Sequence, residues 1–227
     1  MQDVEDDLTR NFPTFRRSEQ ARDVLLSSIM PEISLTDFVD FAIKNGPAQF
    51  TKVKELAKRG EYDPRFDFWR PLREGIQAHH QDKAALDAIV KGLTDKKKQN
   101  RYPEAVEGYK KFLGKKPIHW FTPPKSNWKY GELVVRVNPE LGLTIKGQKY
   151  AIKLYFKDEQ PTKARLQVVF ELMQSSLNLD GNIIPAVLDV AKRDLKTPTK
   201  PKGELSALLE AQAMSFAHMW NAFRPRD

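Results

Sequence analysis

Residues 132–157 read ELVVRVNPELGLTIKGQKYAIKLYFK, and apolar side chains recur there at nearly every second position. Leu133, Val135 and Val137 fall on one side of an extended chain, and Val134, Arg136 and Asn138 on the other. After Asn138-Pro139, a turn signal, Leu141, Leu143 and Ile145 alternate with Gly142, Thr144 and Lys146. Lys146-Gly147-Gln148 reads as a hairpin tip. Ile152, Leu154 and Phe156 then alternate with Ala151, Lys153, Tyr155 and Lys157. Successive side chains of a strand point to opposite faces. The stretch therefore predicts three short antiparallel strands with one apolar face and one mixed, basic face. Arg136, Lys146, Lys153 and Lys157, with Tyr155 among them, populate the basic face.

The segments before this stretch have a helical period. SEQARDVLLSSIM (18–30) offers Ser18 as a cap, with Pro31 as its end. SLTDFVDFAIKNG puts Leu35, Phe38, Val39 and Ala42 on one face, with Ser34 or Thr36 as cap and Gly46 as the expected stop. QFTKVKELAKRG carries Phe50, Val53 and Leu56, with Gly60 expected to close it. In EYDPRFDFWRPLREGIQAHH, Asp67 is the expected cap and Pro71 suits a first turn. There Arg65, Arg70 and Arg73 are expected to pair with Asp63, Asp67 and Glu74 over Phe66, Phe68 and Trp69 rather than to hold an anion. KAALDAIVKGLTDKKKQN is expected to be a helix ending in Lys96, Lys97 and Lys98, where lysines complement the dipole. YPEAVEGYKKFLG follows as another helix.

Three prolines and four aromatic residues make KKPIHWFTPPKSNWKYG (115–131) read as an ordered connector. Beyond the strands, PTKARLQVVFELMQSSL predicts a helix. NIIPAVLDVAKRDLKTP predicts a strand or hairpin turning at Lys192-Arg193-Asp194, and ELSALLEAQAMSFAHMWNAF a final helix. The expected fold is α+β: a helical N-terminal half, then a small, mainly antiparallel sheet packed against helices. The expected organisation is a helical region over 1–114, the connector over 115–131 and an α+β region over 132–227, with one continuous domain as the alternative.

Composition narrows the function classes. The chain has 227 residues and no cysteine, which excludes disulfides and cysteine-zinc sites and suits a reducing, cytoplasmic compartment. No apolar run approaches the ~20 residues of a membrane span, so no membrane partner is expected. Net charge is +8, unevenly spread: residues 1–50 carry five basic and nine acidic side chains, whereas 51–130 carry nineteen and ten. A basic middle is the footprint of a polyanion partner such as DNA or RNA, or simply a solvated face.

The order strand, strand, strand, helix, strand over residues 131–191 resembles the core of PD-(D/E)xK nucleases. That resemblance implies one acid at the start of the second core strand and an acid-x-lysine on the third, the acids holding Mg²⁺ or Mn²⁺. Pro139-Glu140 matches the first motif and Ala151-Ile152-Lys153 the second, with alanine where the family has an acid. Glu132, Glu171 or Asp189 would have to supply the missing carboxylate. The catalytic candidates are thus Glu140, Lys153 and Asp189. Read structurally, Glu140 is a turn residue, Lys153 the outer side of a strand, Asp189 a lysine's partner and Glu171 an outward-pointing helix residue.

No phosphate-cradling or dinucleotide-binding glycine motif and no H-E-x-x-H occurs. His79-His80, His119 and His218 have no metal-ligand spacing, and His119 is expected to pack within the connector. The expected function is a non-catalytic nucleic-acid-associated protein with no cofactor. It would bind through Arg136, Lys146, Lys153, Tyr155, Lys157 and Lys96, Lys97 and Lys98. The alternatives are a protein-interaction or scaffold subunit docking through the aromatic connector and its C-terminal helix, and a metal-dependent nuclease.

Overall fold

The computed structural model describes residues 30–59, 63–199 and 201–223. The unit Met1–Pro31 falls almost wholly outside them, and with it the helix expected over 18–30; Gly60 also lies outside. Glu32–Asp227 forms one compact unit. The architecture is α+β, with six α-helices and two mixed sheets of three and five strands among the described residues.

The hairpin at the centre of 132–157 forms as its alternation demands. β5 (Leu141–Ile145) pairs antiparallel with β6 (Gln148–Tyr155), and Lys146 (φ +50°) and Gly147 (φ +85°) turn the tip. β4 (Leu133–Val137) does not join them. It lies between β1 (Glu32–Ser34), parallel to it, and β3 (Ser126–Tyr130), antiparallel to it. Both of its edges are thereby paired, and Leu133, Val135 and Val137 turn one face into the core, while Val134 and Arg136 lie on the outer face beside the exposed Glu32, Asn127 and Lys129. Asn138-Pro139 is therefore a passage between sheets and not a hairpin turn. The five-stranded sheet runs β2 (Ile118–Phe121), β5, β6, β7 (Ile183–Asp189), β8 (Asp194–Lys196). Residues 115–131, expected as a connector, thus supply β2 and β3, one to each sheet. β6 and β7 are parallel, joined through the helix Lys163–Ser176; β7 and β8 form the expected hairpin, with Arg193 left-handed at φ +61°.

The helices follow from capping and apolar period. In α1 (Leu35–Ala42), Ser34 accepts from the Asp37 N–H at 3.1 Å, and Leu35, Phe38, Val39 and Phe41 are buried. Gly46 does not stop this helix, which ends at Ala42 with Ile43 as its C-cap; at φ +43° it opens α2 (Gly46–Arg59). A short turn, Pro64–Phe66, precedes α3 (Arg70–Gln81), whose cap position is Trp69 and not Asp67. Residues 82–100 are not one helix. Leu86–Ile89 is a single tight turn, Gly92 is left-handed at φ +70°, and Asp95 caps a new helix, α4 (Lys96–Leu113). Lys96, Lys97 and Lys98 therefore open a helix instead of ending one. α5 (Lys163–Ser176) is capped by Thr162 and carries the crossover; α6 (Ser206–Asn221) ends the described chain.

Two apolar clusters flank the five-stranded sheet. Ala151 and Val187 face a core built from α1, α2, α5, α6 and the three-stranded sheet. Leu141, Leu143, Ile152, Leu154, Ala186 and Leu188 face a second core with α3 and α4. Both faces of β6 are thus packed, and the open basic sheet face expected from alternation does not exist.

Candidate functional site

The passage Asn138–Glu140 leaves a gap where the two sheets diverge, and a cleft of roughly 850 Å³ occupies it. Its walls are the start of α1, the turn Asp63–Trp69, α3, the C-terminal half of β6 and the start of α5. Seven cationic and four acidic side chains line it. Four of the five residues expected on the basic sheet face, Arg136, Lys153, Tyr155 and Lys157, come together here; Lys146 stays apart at the exposed hairpin tip. Lys96, Lys97 and Lys98 do not line the cleft: Asp95 accepts the Lys97 and Lys98 N–H groups at 2.8 and 3.1 Å in the first turn of α4.

Glu140 is the anchor of the floor. It is only 7% exposed. One carboxylate oxygen accepts the Leu154 N–H at 2.8 Å, and the other accepts the Lys153 ammonium, with Arg73 Nε 3.8 Å away. Its backbone joins β6 through its N–H to the Ile152 carbonyl (2.9 Å), and its own carbonyl accepts from Gln77 at 2.7 Å. Glu140 is therefore no solvent-facing turn residue. Lys153 is not on an open strand face either; its side chain is 19% exposed.

Around this pair, cations and acids interlock. Arg73 also holds Asp67, and Arg165 holds Asp40, with Lys157 3.6 Å from the same carboxylate. Burial pushes the Asp37 carboxyl up, but hydrogen bonds from Arg59 and Ser34 and the charges of Arg59 and Lys52 outweigh it and hold Asp37 below its ordinary value. Burial pushes the Tyr155 hydroxyl up against the opposing charge of Arg165. The expected knot is present: Arg65–Asp63, Arg70–Glu74 and Arg73–Asp67 all pair. Phe66 departs from it. Phe68 and Trp69 stack inward, Trp69 lying 4.9 Å from Phe156, whereas Phe66 is 84% exposed on the cleft wall. Lys125, a cleft residue outside the expected set, is exposed and makes no ion pair among the described residues.

No family model, curated protein or solved structure matches the chain. The nuclease resemblance requires a second carboxylate beside Glu140 and Lys153. Glu140 and Lys153 meet as that resemblance implies, but Ala151 is fully buried and brings no acid. Asp189, 1% exposed, accepts the Lys192 N–H at 3.1 Å and closes the β7–β8 turn; it does not line the cleft. Glu171 points inward, not outward. It accepts the Gly203 N–H at 2.9 and 3.2 Å and the Ser206 hydroxyl at 3.2 Å, which ties the start of α6 to α5. Glu132 is bonded to Asn221 at 3.0 Å. No group of three or more metal-ligating side chains occurs among the described residues.

His79 and His80 hold structure, His79 meeting the Ala84 carbonyl at 2.8 Å. His80 packs its ring against Trp120 and meets the Tyr109 hydroxyl at 2.6 Å. Burial, helped by the charges of His79 and Lys83, lowers its pKa to about 4, so it is neutral at pH 7. His119 lies exposed on β2 and is not packed as expected.

Little in the sequence marked Arg165 and Lys125 as cleft residues. The one available signal was Asp40 inside the apolar run DFVDFA, since an acid there needs a cation from elsewhere in the fold.

Proposed function

We propose that this chain is a non-catalytic nucleic-acid-binding protein that grips a phosphate backbone in the cleft between its two sheets. The observation that carries the reading is the excess of cations on one concave surface, seven against four acids, gathered from six separate parts of the chain. Arg136, Lys153 and Lys157 come from β4, β6 and its end, Lys125 from the start of β3 and Arg165 from α5. Ion pairs fix the buried members, while Lys125 and the half-exposed Lys157 reach solvent where a phosphate would lie. Such a surface gives affinity that falls with salt as counterions are released. Fluorescence anisotropy with labelled DNA and RNA across a salt series tests it. Sub-micromolar binding with a steep salt dependence is the expected result, and no binding at low salt to any of them would sink the proposal.

A nuclease is the weaker reading, because a single carboxylate already neutralised by Lys153 and faced by Arg73 is a poor Mg²⁺ ligand set. Running the same samples on a denaturing gel with Mn²⁺ checks it; intact strands are expected. A second reading, a protein partner on α6, is favoured by one observation. Leu208 and Met214 of that helix are exposed, and so is Phe50 of α2, whose ring centre lies 4.9 Å from that of Phe223 past the helix's end.

A further inference from the structure

Resting on the reading just given, we infer that the cleft takes a single strand and that Phe66 is its base-stacking residue. Phe66 is the most exposed large apolar side chain among the described residues, at 84%. It is not on a loose loop. Pro64 fixes the backbone of its turn, and the Phe66 N–H bonds the Asp63 carbonyl at 3.1 Å. Asp63 accepts the Arg65 N–H at 2.9 Å, and its carboxylate also holds the Arg65 guanidinium, closest approach 2.7 Å. Asp67, the next residue, is anchored to Arg73 on the cleft wall. A rigid turn thus presents an aromatic face that costs little entropy to use. No ring contacts Phe66 among the described residues, although the neighbouring Phe68 and Trp69 pack with Tyr102 and Phe156.

The five-stranded sheet is packed on both faces, and the outer face of the three-stranded sheet carries Glu32, Ser34, Asn127, Lys129, Val134 and Arg136 with no aromatic ring, so neither sheet offers a stacking platform for bases; the cleft rim is where stacking can occur. A duplex buries the faces of its bases within its own stack. Only an unstacked base can lie on Phe66 while its phosphates meet Lys125 and Lys157. Charge complementarity of the same cleft selects a nucleic-acid strand over an apolar peptide as the occupant.

The test uses the full chain with a labelled oligothymidylate and a labelled duplex of equal length, for the wild type, Phe66→Ala and Phe66→Tyr. Phe66 is so exposed that both variants should melt with the wild type. Phe66→Ala is expected to weaken single-strand binding about tenfold or more, leave its salt slope unchanged and move duplex binding far less. Phe66→Tyr is expected to restore the affinity. Single-strand binding that survives Phe66→Ala, or equal losses on strand and duplex, overturns this inference while leaving the polyanion reading intact. Absence of binding to both probes by the wild type overturns the two together.

Discussion

Removing Lys153 puts the architecture of the cleft floor under direct strain. In Lys153→Met the Glu140 carboxylate stays 7% exposed and keeps the Leu154 N–H at 2.8 Å, but its nearest cation becomes Arg73, 3.8 Å away. Leaving one member of a buried ion pair alone costs about 3–5 kcal/mol. Lys153 is 19% exposed, and Arg73 is near enough to compensate in part, so the expected loss is about 2–3 kcal/mol, the range of a charge-assisted hydrogen bond. For a chain of this size that lowers the melting temperature by roughly 4–12 °C. Glu140→Gln keeps an acceptor for Leu154, and Lys153 can swing toward solvent, so about 1–2 kcal/mol is expected. The double variant should lose less than the sum of the two by at least about 1 kcal/mol. Urea unfolding of all four proteins gives the cycle. Additivity within about 0.5 kcal/mol would refute the claim that this pair holds the floor together.

Three further outcomes are expected. Glu171→Ala removes the acceptor for Gly203 and Ser206 and should destabilise the chain by about 2–4 kcal/mol, with faster amide exchange at the start of α6; unchanged protection there would contradict the capping role. Gly108→Ala would set a methyl group 2.5 Å from the Val190 carbonyl oxygen, forcing α4 off the end of β7 at a cost of about 1–3 kcal/mol; a melt identical to wild type would show the approach is looser. His80 is buried neutral with its pKa lowered to about 4, so the unfolded chain takes up the proton first as pH falls below 6.5. Its contribution to stability is complete above pH 6.5 and is lost progressively toward pH 4. His80→Gln, which does not titrate, should therefore lose less melting temperature than the wild type between pH 7 and pH 5.

Much of the fold is legible in the sequence, because period and capping are local. The β5–β6 hairpin follows from alternation around Lys146-Gly147, and α1 from Ser34 and the spacing of Phe38 and Val39. Partners are another matter. Alternation in Leu133–Val137 tells which residues oppose, not which strand lies beside, and β4 finds its neighbours in β1 and β3. Prolines in 115–131 masked the alternation of Trp128 and Tyr130, which are half-buried strand residues. Three lysines in a row suit the dipole at a helix's end, and only the Asp95 side chain, accepting from Lys97 and Lys98, makes Lys96–Lys98 a helix start. The site was legible residue by residue in Glu140, Lys153 and Lys157, but not as a cleft. Its far wall, with Arg73, Phe66 and Arg165, is assembled by contacts across 60 to more than 100 positions, as the Arg165–Asp40 pair (125 apart) and the Gln77–Glu140 bond (63 apart) illustrate.

The central claim is that the cleft grips a phosphate backbone, and the salt dependence of single-strand affinity tests it most directly, for the wild type and for Lys125→Glu/Lys157→Glu. Three or four phosphate contacts predict a slope of log K on log salt of about −2 to −3. The variant should bind more weakly, with the slope reduced by about 1 to 1.5. Wild-type binding that ignores salt, or a charge-reversed cleft that binds as well as the native one, would contradict the account.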